Sequence, residues 1–272
     1  MTAKCETERL ALRLRVQAVR MVHAVNASHI GACLSIADIL AVLYGRLLRV
    51  DPAQPDWPLR DRFILSKGHA AAILYAALAE RGFLGEAELE EYCRPGARLT
   101  GHVSHYVPGV EVSTGSLGHG LSVGCGMALA GKREGRDYRV FVLLSDGELD
   151  EGSNWEPILF AAHHGLDNLV AVVDHNRLQG FGAVEDVLDL EPLAGKWEAF
   201  GWKTATLDGH DHESLLSTLG RLPLAAGRPS VIVAHTVKGK GVGYMEDSLA
   251  WHYKSPNLEE LRAALKELGR AA

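Results

Sequence analysis

What this 272-residue chain lacks narrows its class first. It has only four cysteines (Cys5, Cys33, Cys93 and Cys125), and no two form a Cys-x-x-Cys pair. That argues against a disulfide framework and a zinc finger, so the expected setting is reduced and cytoplasmic. No apolar run approaches the roughly 18 residues of a membrane span, so no membrane association is expected. The opening residues, MTAKCETERLALRLR, are charged almost from the start and do not read as a secretory leader. Positive charge is not in surplus. The formal net charge of −6 argues against nucleic acid as the main partner. Low-complexity tracts and internal repeats are also missing.

What is there suits a folded domain. Hydrophobic residues make up 47% and charged residues 23%, and at this length roughly three quarters of the unfolded surface can be buried. No internal boundary stands out, so residues 1–272 read as one domain. Residues 7–25 alternate charged and apolar positions with helical spacing. SIADILAVLYGRLL (35–48) reads as a helix, with Ser35 at the N-cap and Asp38 nearly completing a capping box. DRFILSKGHAAAILYAALAERG (61–82) predicts a short strand, a tight turn and an Ala-rich helix. Residues 94–118 are irregular and rich in Gly, His and Pro, and an unstructured stretch that long is usually functional or disordered. Residues 120–134 return to helix. Strands are then expected at 138–145, 168–174, 203–208 and 230–236, with helices between them at 153–165, within 191–202 and at 212–222. Such alternation predicts an α/β fold, a parallel sheet covered by helices on both faces.

The stretch LLSDGELDEGSNWE (143–156) crowds carboxylates where a strand stops. Asp146 ends one expected strand and Asn176 lies just past the next. A right-handed crossover between them makes those strands parallel, so both residues reach the same sheet edge, where ligands of open α/β sheets bind. A carboxylate and an amide oxygen are hard donors that suit Mg2+ or Ca2+. A bare diphosphate facing Asp146 would be repelled, whereas a bridging divalent cation turns the same carboxylate into an anchor. Gly147 leaves room for a ligand to approach the backbone. Glu148, Asp150 and Glu151 are open between a ligand role and complementing the dipole of the helix starting near Ser153.

The chain has thirteen histidines, and they cannot all be catalytic. His163 and His164 fit a helix C-terminus. His210 and His212 around Asp211 are a weak metal pattern, and the His102/His105 pair has no third ligand nearby. GMALAGKR (126–133) has the Walker spacing, but Arg133 stands where Ser or Thr is required. The glycine spacing of GKGVG (239–243) does not fit a dinucleotide fingerprint.

SDGELDEGSNWE, followed by VVDHNRLQ, resembles the thiamine-diphosphate fingerprint of transketolases. ASHIGACLS (27–35), LSKGHAAAILYAAL (65–78) and LTGHVSH (99–105) resemble that family's histidine segments. PGVEVSTGSLGHGLSVGCGMALAGK (108–132), HTVKGKGV and AWHYKSP (250–256) are similar to its cofactor loop and closing segments. The resemblance runs from about residue 20 to residue 260 and covers only the diphosphate-binding, N-terminal half of a full-length transketolase. It therefore implies a split enzyme that cleaves a C–C bond of a ketose and passes a two-carbon ketol unit to an aldose, sugar or sugar phosphate. The pyrimidine-binding half would be a separate chain, with two copies of each in a heterotetramer. The resemblance further implies that Asp146, Asn176 and the Leu178 carbonyl hold Mg2+, with Ca2+ or Mn2+ as substitutes. By the same transfer, Gly147, His69, Gly115, Leu117 and Asn176 contact thiamine diphosphate, and Lys238 lies near its diphosphate. His29, His102 and His252 would face the substrate and share catalysis with His69. Ser35 and Gln179 transfer more weakly. Departures are Ser145 for the first Gly of the fingerprint, His119 for a common Gln, and Tyr253 for a common Gly, which would narrow the mouth of the site. Competing readings are a deoxyxylulose-phosphate synthase relative, the alpha chain of a 2-oxo acid dehydrogenase, and a non-catalytic regulatory chain.

Overall fold

Successive residues of the central strands bury against opposite neighbours, which explains why these strands are apolar over most of their length. Val140, Val142 and Leu144 pack on one side with Leu121, Ala128, Ile158 and Trp197. Phe141 and Leu143 pack on the other with Leu14, Leu40 and Leu74. The computed structural model describes residues 2–269. Its elements run α1 (Ala3–Ala24), α2 (Ile30–Ser35), α3 (Ala37–Val42), β1 (Arg62–Leu65), α4 (Ala71–Arg81), α5 (Gly120–Arg133), β2 (Val140–Ser145), α6 (Trp155–His163) and β3 (Leu169–His175). There follow β4 (Leu178–Gln179), β5 (Gly182–Ala183), α7 (Val184–Val187), α8 (Leu193–Ala199), β6 (Lys203–Asp208), α9 (His212–Leu219), β7 (Ser230–His235) and α10 (Leu258–Glu267).

The main sheet has the order β1-β2-β3-β7-β6, and every neighbouring pair is parallel. The expected α/β architecture is therefore the observed one. Helices α1–α4, α9 and α10 contribute to the core on one face, and α5, α6 and α8 to the core on the other. Helix α5 lies close on β2, since a Cβ at Gly124 would fall 2.5 Å from Cγ2 of Val142. β4 and β5 form a small antiparallel hairpin beyond the end of β3. No helix among the described residues is long and apolar enough to cross a membrane.

The helix expected over 35–48 is corrected. α2 begins at Ile30, Ile36 breaks it from α3, and Leu43–Leu47 form a π-turn. Ser35 caps nothing. Its hydroxyl donates to the Ala32 carbonyl (3.1 Å) and to Oδ2 of Asp174 (2.7 Å). A buried carboxylate 139 residues away claims the hydroxyl that local pattern assigns to a cap.

Asp38 joins four separate parts of the chain. Its buried carboxylate accepts from Nη1 (3.0 Å) and Nη2 (2.5 Å) of Arg15, and meets Nδ1 of His210 (2.7 Å) and Nε2 of His212 (3.0 Å). The Val237 amide donates to Nε2 of His210 (2.9 Å), which leaves Nδ1 of that ring to carry the hydrogen toward Asp38. The His210/His212 pair thus serves a hydrogen-bond hub. Burial works to raise the Asp38 carboxyl, but the histidine hydrogen bonds and the Arg15 charge outweigh it and hold the group well below the usual carboxylate range. A depressed carboxyl contributes stability above its unfolded pKa of about 3.9, and that contribution is lost as pH falls through the folded value. Asp38→Asn is expected to cost on the order of 2 kcal/mol at neutral pH. Urea midpoints should show the gap between variant and parent closing in acid. A gap of constant size down to strong acid would contradict this account.

Candidate active site

Asp146 and Asn176 meet because β2 and β3 run parallel in register, Ser145 opposite Asp174. Just past that pair, both segments turn over the same C-terminal edge. Asp146 is fully buried, its Oδ1 accepting from the Gly147 amide (2.8 Å) and its Oδ2 from the Arg177 amide (2.5 Å). Asn176 donates through Nδ2 to Oδ2 of Asp174 (3.0 Å), and its Oδ1 accepts from the Leu178 amide (3.1 Å). Lys238 donates from Nζ to the Leu178 carbonyl (2.9 Å). Beneath these lies an ion pair that the sequence did not announce. Nζ of Lys67 sits 2.5 Å from Oδ2 of Asp174, and the two side chains are 1% and 0% exposed. Ser35, Thr236 and Asn176 complete the donors around Asp174.

Burial first, and then the neighbouring Asp174 charge, push the Asp146 carboxyl up to about 7. Burial works in the same direction on Asp174, but the Lys67 charge and the surrounding hydrogen bonds outweigh it and keep that group below its ordinary value. Burial and the Lys67 charge pull Lys238 down to about 8. Asp146 is thus a buried carboxylate short of a compensating cation. It shares its edge with two neutral oxygens, the Asn176 amide and the Leu178 carbonyl that already faces an ammonium. That donor set fits a hard divalent cation that also takes phosphate oxygens. Among the described residues, no group of three His, Cys, Asp or Glu side chains is arranged to hold a metal.

The histidines gather above that floor. The His29 ring centroid lies 5.1 Å from His69, 5.1 Å from His252 and 6.0 Å from His102, and His69 is 5.9 Å from His252. His29 sits at the N-cap of α2 with φ 70°, and its amide donates to the His252 carbonyl (2.9 Å). This fixes two histidine segments from opposite ends of the chain against each other. Burial lowers His29 to about 4, helped by the charges of His102 and Lys238, and lowers His252 to about 3, helped by Lys238 and His29. His69 is held well below its ordinary value by burial and by Lys67. The irregular segment 94–118 brings in Gly115 and Leu117, and a Cβ at Gly115 would fall 2.9 Å from Cδ2 of His102.

His29, His69, His102, Gly115, Leu117, Asp146, Gly147, Asn176, Leu178, Lys238 and His252 all line one cavity of about 290 Å³. The sequence therefore selected residues that the fold brings together. Of the weaker transfers, Gln179 lines the cavity and Ser35 lies beneath it on Asp174. Gly147 has a local neighbour as well, since a Cβ there would fall 2.7 Å from Cβ of Gln179. His105 points elsewhere, to the Ser113 hydroxyl (2.7 Å), and His163 and His164 close α6. His119 donates from Nδ1 to the Leu117 carbonyl (2.9 Å). The crowded carboxylates divide. Glu148 is fully buried and accepts from the Ser66 hydroxyl and the Gly118 (3.0 Å) and Ser145 (3.3 Å) amides. Asp150 accepts from Gln179 (3.0 Å), and Glu151 is exposed. Sequence reasoning missed Glu148 and the Lys67–Asp174 pair. A Lys two residues past the apolar run of β1 and an Asp following that of β3 were the available signals.

Comparison with known proteins bears on the family of the chain. Residues 6–271 match the family model described as transketolase, thiamine diphosphate binding domain. The chain is 41% identical over 254 residues to one of the subunits of the apulose-4-phosphate transketolase of Phocaeicola vulgatus, covering 93% of this chain and 90% of that one. It is 41% identical over 245 residues to the SqwG subunit of the 6-deoxy-6-sulfo-D-fructose transketolase of a Clostridium species, covering 90% and 89%. The transketolase from Leishmania mexicana superposes with a TM-score of 0.91 at 30% identity, over 97% of this chain and 41% of that one. The chain belongs to the transketolase N-terminal, thiamine-diphosphate-binding domain family.

Proposed function

We propose that this chain is the diphosphate-binding subunit of a two-chain transketolase. In this reading it binds thiamine diphosphate through Mg2+ and, with a pyrimidine-binding partner, moves a two-carbon ketol unit from a ketose to an aldose. The observation that carries the proposal is the shared cavity, with hard oxygen donors at its floor and four histidines above them. The partner is inferred because relatives named as single subunits of a transketolase align with the chain nearly end to end, whereas a solved transketolase chain is more than twice as long. A heterotetramer with two copies of each chain is part of the proposal. So is a reduced, cytoplasmic setting, in keeping with four unpaired cysteines.

Asp146, Asn176 and the Leu178 carbonyl would hold the cation, with Lys238 beside the diphosphate. Thiamine diphosphate held there would supply a nucleophilic thiazolium carbon and, in its ring, an electron sink for C–C cleavage. The chain's own residues orient the sugar and move protons. His29, His69 and His252, with pKa values lowered by burial, are neutral at pH 7. A neutral imidazole offers one N–H donor and one acceptor nitrogen, so each ring can hydrogen-bond a substrate hydroxyl or accept its proton. His102, packed against Gly115, supplies a further ring to the same wall.

The purified chain alone is expected to show no ketol transfer, and mixing it with its partner should restore turnover. Robust transfer by this chain without a second one would overturn the two-chain reading. Release of CO2 from pyruvate by the pair, without ketol transfer, would favour the oxo-acid alternatives.

A further inference from the structure

The cavity has a rim as distinct from its floor. Asp146 and Lys238 at the floor are 0% and 2% exposed, whereas Tyr253 and Phe181, which line the same cavity, are 61% and 86% exposed. The Tyr253 hydroxyl donates to the Gly180 carbonyl (3.0 Å). This bond ties the turn carrying His252 to the tip of the β4–β5 hairpin, whose first residue is Leu178. The approach is close. A Cβ at Gly180 would fall 2.8 Å from the Tyr253 hydroxyl and 3.4 Å from Nε2 of His252. The phenol ring also packs edge-on against His252, with centroids 4.7 Å apart. The lysines lining the cavity, Lys67 and Lys238, are committed at the floor to Asp174 and the Leu178 carbonyl. What this chain offers an entering molecule at the rim is therefore aromatic surface, with the Tyr253 ring held by its hydrogen bond to Gly180.

We propose that Tyr253, strapped to Gly180, is a specificity-determining residue that limits the breadth of the acceptor passing His252. Together with Phe181 it forms a narrow, uncharged gate that favours small aldoses such as glycolaldehyde over bulkier ones such as ribose. This proposal rests on the transketolase reading above. Width is the relevant property because neither aromatic side chain carries a charge with which to select a phosphate.

The test uses the complex of both chains loaded with Mg2+ and thiamine diphosphate. Hydroxypyruvate is the donor, and glycolaldehyde and D-ribose are the competing acceptors. Tyr253→Gly is expected to raise the kcat/KM ratio of ribose to glycolaldehyde about tenfold or more, chiefly through a lower KM for ribose. Tyr253→Phe, which keeps the ring and removes the strap, should shift the ratio in the same direction by less. Calorimetric affinity for thiamine diphosphate is measured in both variants because the strap anchors the hairpin that begins at Leu178, and the ratio of kcat/KM for two acceptors on the same loaded complex does not depend on cofactor occupancy. An unchanged acceptor ratio in Tyr253→Gly, with turnover and cofactor binding intact, would overturn the gate. A parent complex that neither binds thiamine diphosphate nor turns over would instead overturn the transketolase reading, and the gate with it.

Discussion

Replacing Asp146 with alanine is expected to abolish Mg2+-dependent retention of thiamine diphosphate. Asp146 is the charged member of the proposed oxygen donor set, the others being a neutral amide and a neutral carbonyl. Without it, a cation at the floor would face only neutral donors from this chain. The diphosphate would meet the Asp174 side of the site with no divalent charge between them. Loss of outer contacts to a metal site typically costs roughly 10–100-fold in affinity, so loss of a carboxylate ligand should cost at least about 100-fold. Asp146→Asn tests charge against shape, because it keeps the volume and should lose affinity nearly as far. Calorimetry of the two-chain complex with Mg2+ and thiamine diphosphate reads both variants, and cofactor content after desalting checks the result. Wild-type occupancy in Asp146→Ala would show that the metal is held elsewhere.

The second large effect concerns folding. Lys67→Met is expected to lower unfolding stability by about 3–5 kcal/mol, because it leaves the Asp174 carboxylate buried and uncompensated. Asp174 would keep its hydrogen bonds from Ser35, Thr236 and Asn176, but these are neutral donors. Asn176 is oriented by Asp174, so the same variant should also weaken cofactor binding. Replacing both partners, Lys67→Met with Asp174→Leu, should recover part of the lost stability, since a matched apolar pair carries no unpaired charge. That recovery would come without recovery of cofactor affinity, because the support for Asn176 is gone. Denaturant unfolding measures the first quantity and calorimetry the second. A single Lys67→Met variant within about 1 kcal/mol of its parent would show that the pair does not sustain the fold.

Some features could be read directly and others could not. The strands β2, β3 and β7 were legible because burial on both faces makes most of each strand apolar, and the turn SKGH and the irregular 94–118 segment fell where expected. Helical periodicity failed at 35–48, where it ran across a break at Ile36 and a π-turn. Ser35 illustrates the cause. A cap and a tertiary hydrogen bond use the same hydroxyl, and sequence spacing does not say which partner wins. The same limit hid Glu148, which the sequence could not separate from its charged neighbours Asp150 and Glu151. Only its placement against Ser66, Gly118 and Ser145 makes it interior.

The amino-acid sequence by itself determined the layered α/β plan and the sheet edge that Asp146 and Asn176 share, while the histidines and the other expected cavity residues came from the resemblance to transketolases. Hydrophobic periodicity and strand-end position are local properties, and parallel topology converts them into a shared edge. Tertiary structure alone decided the pairing of Lys67 with Asp174, the Asp38 hub and the strap from Tyr253 to Gly180. Each joins positions whose separation along the chain carries no periodic signal, and each depends on how closely buried groups come to lie in space.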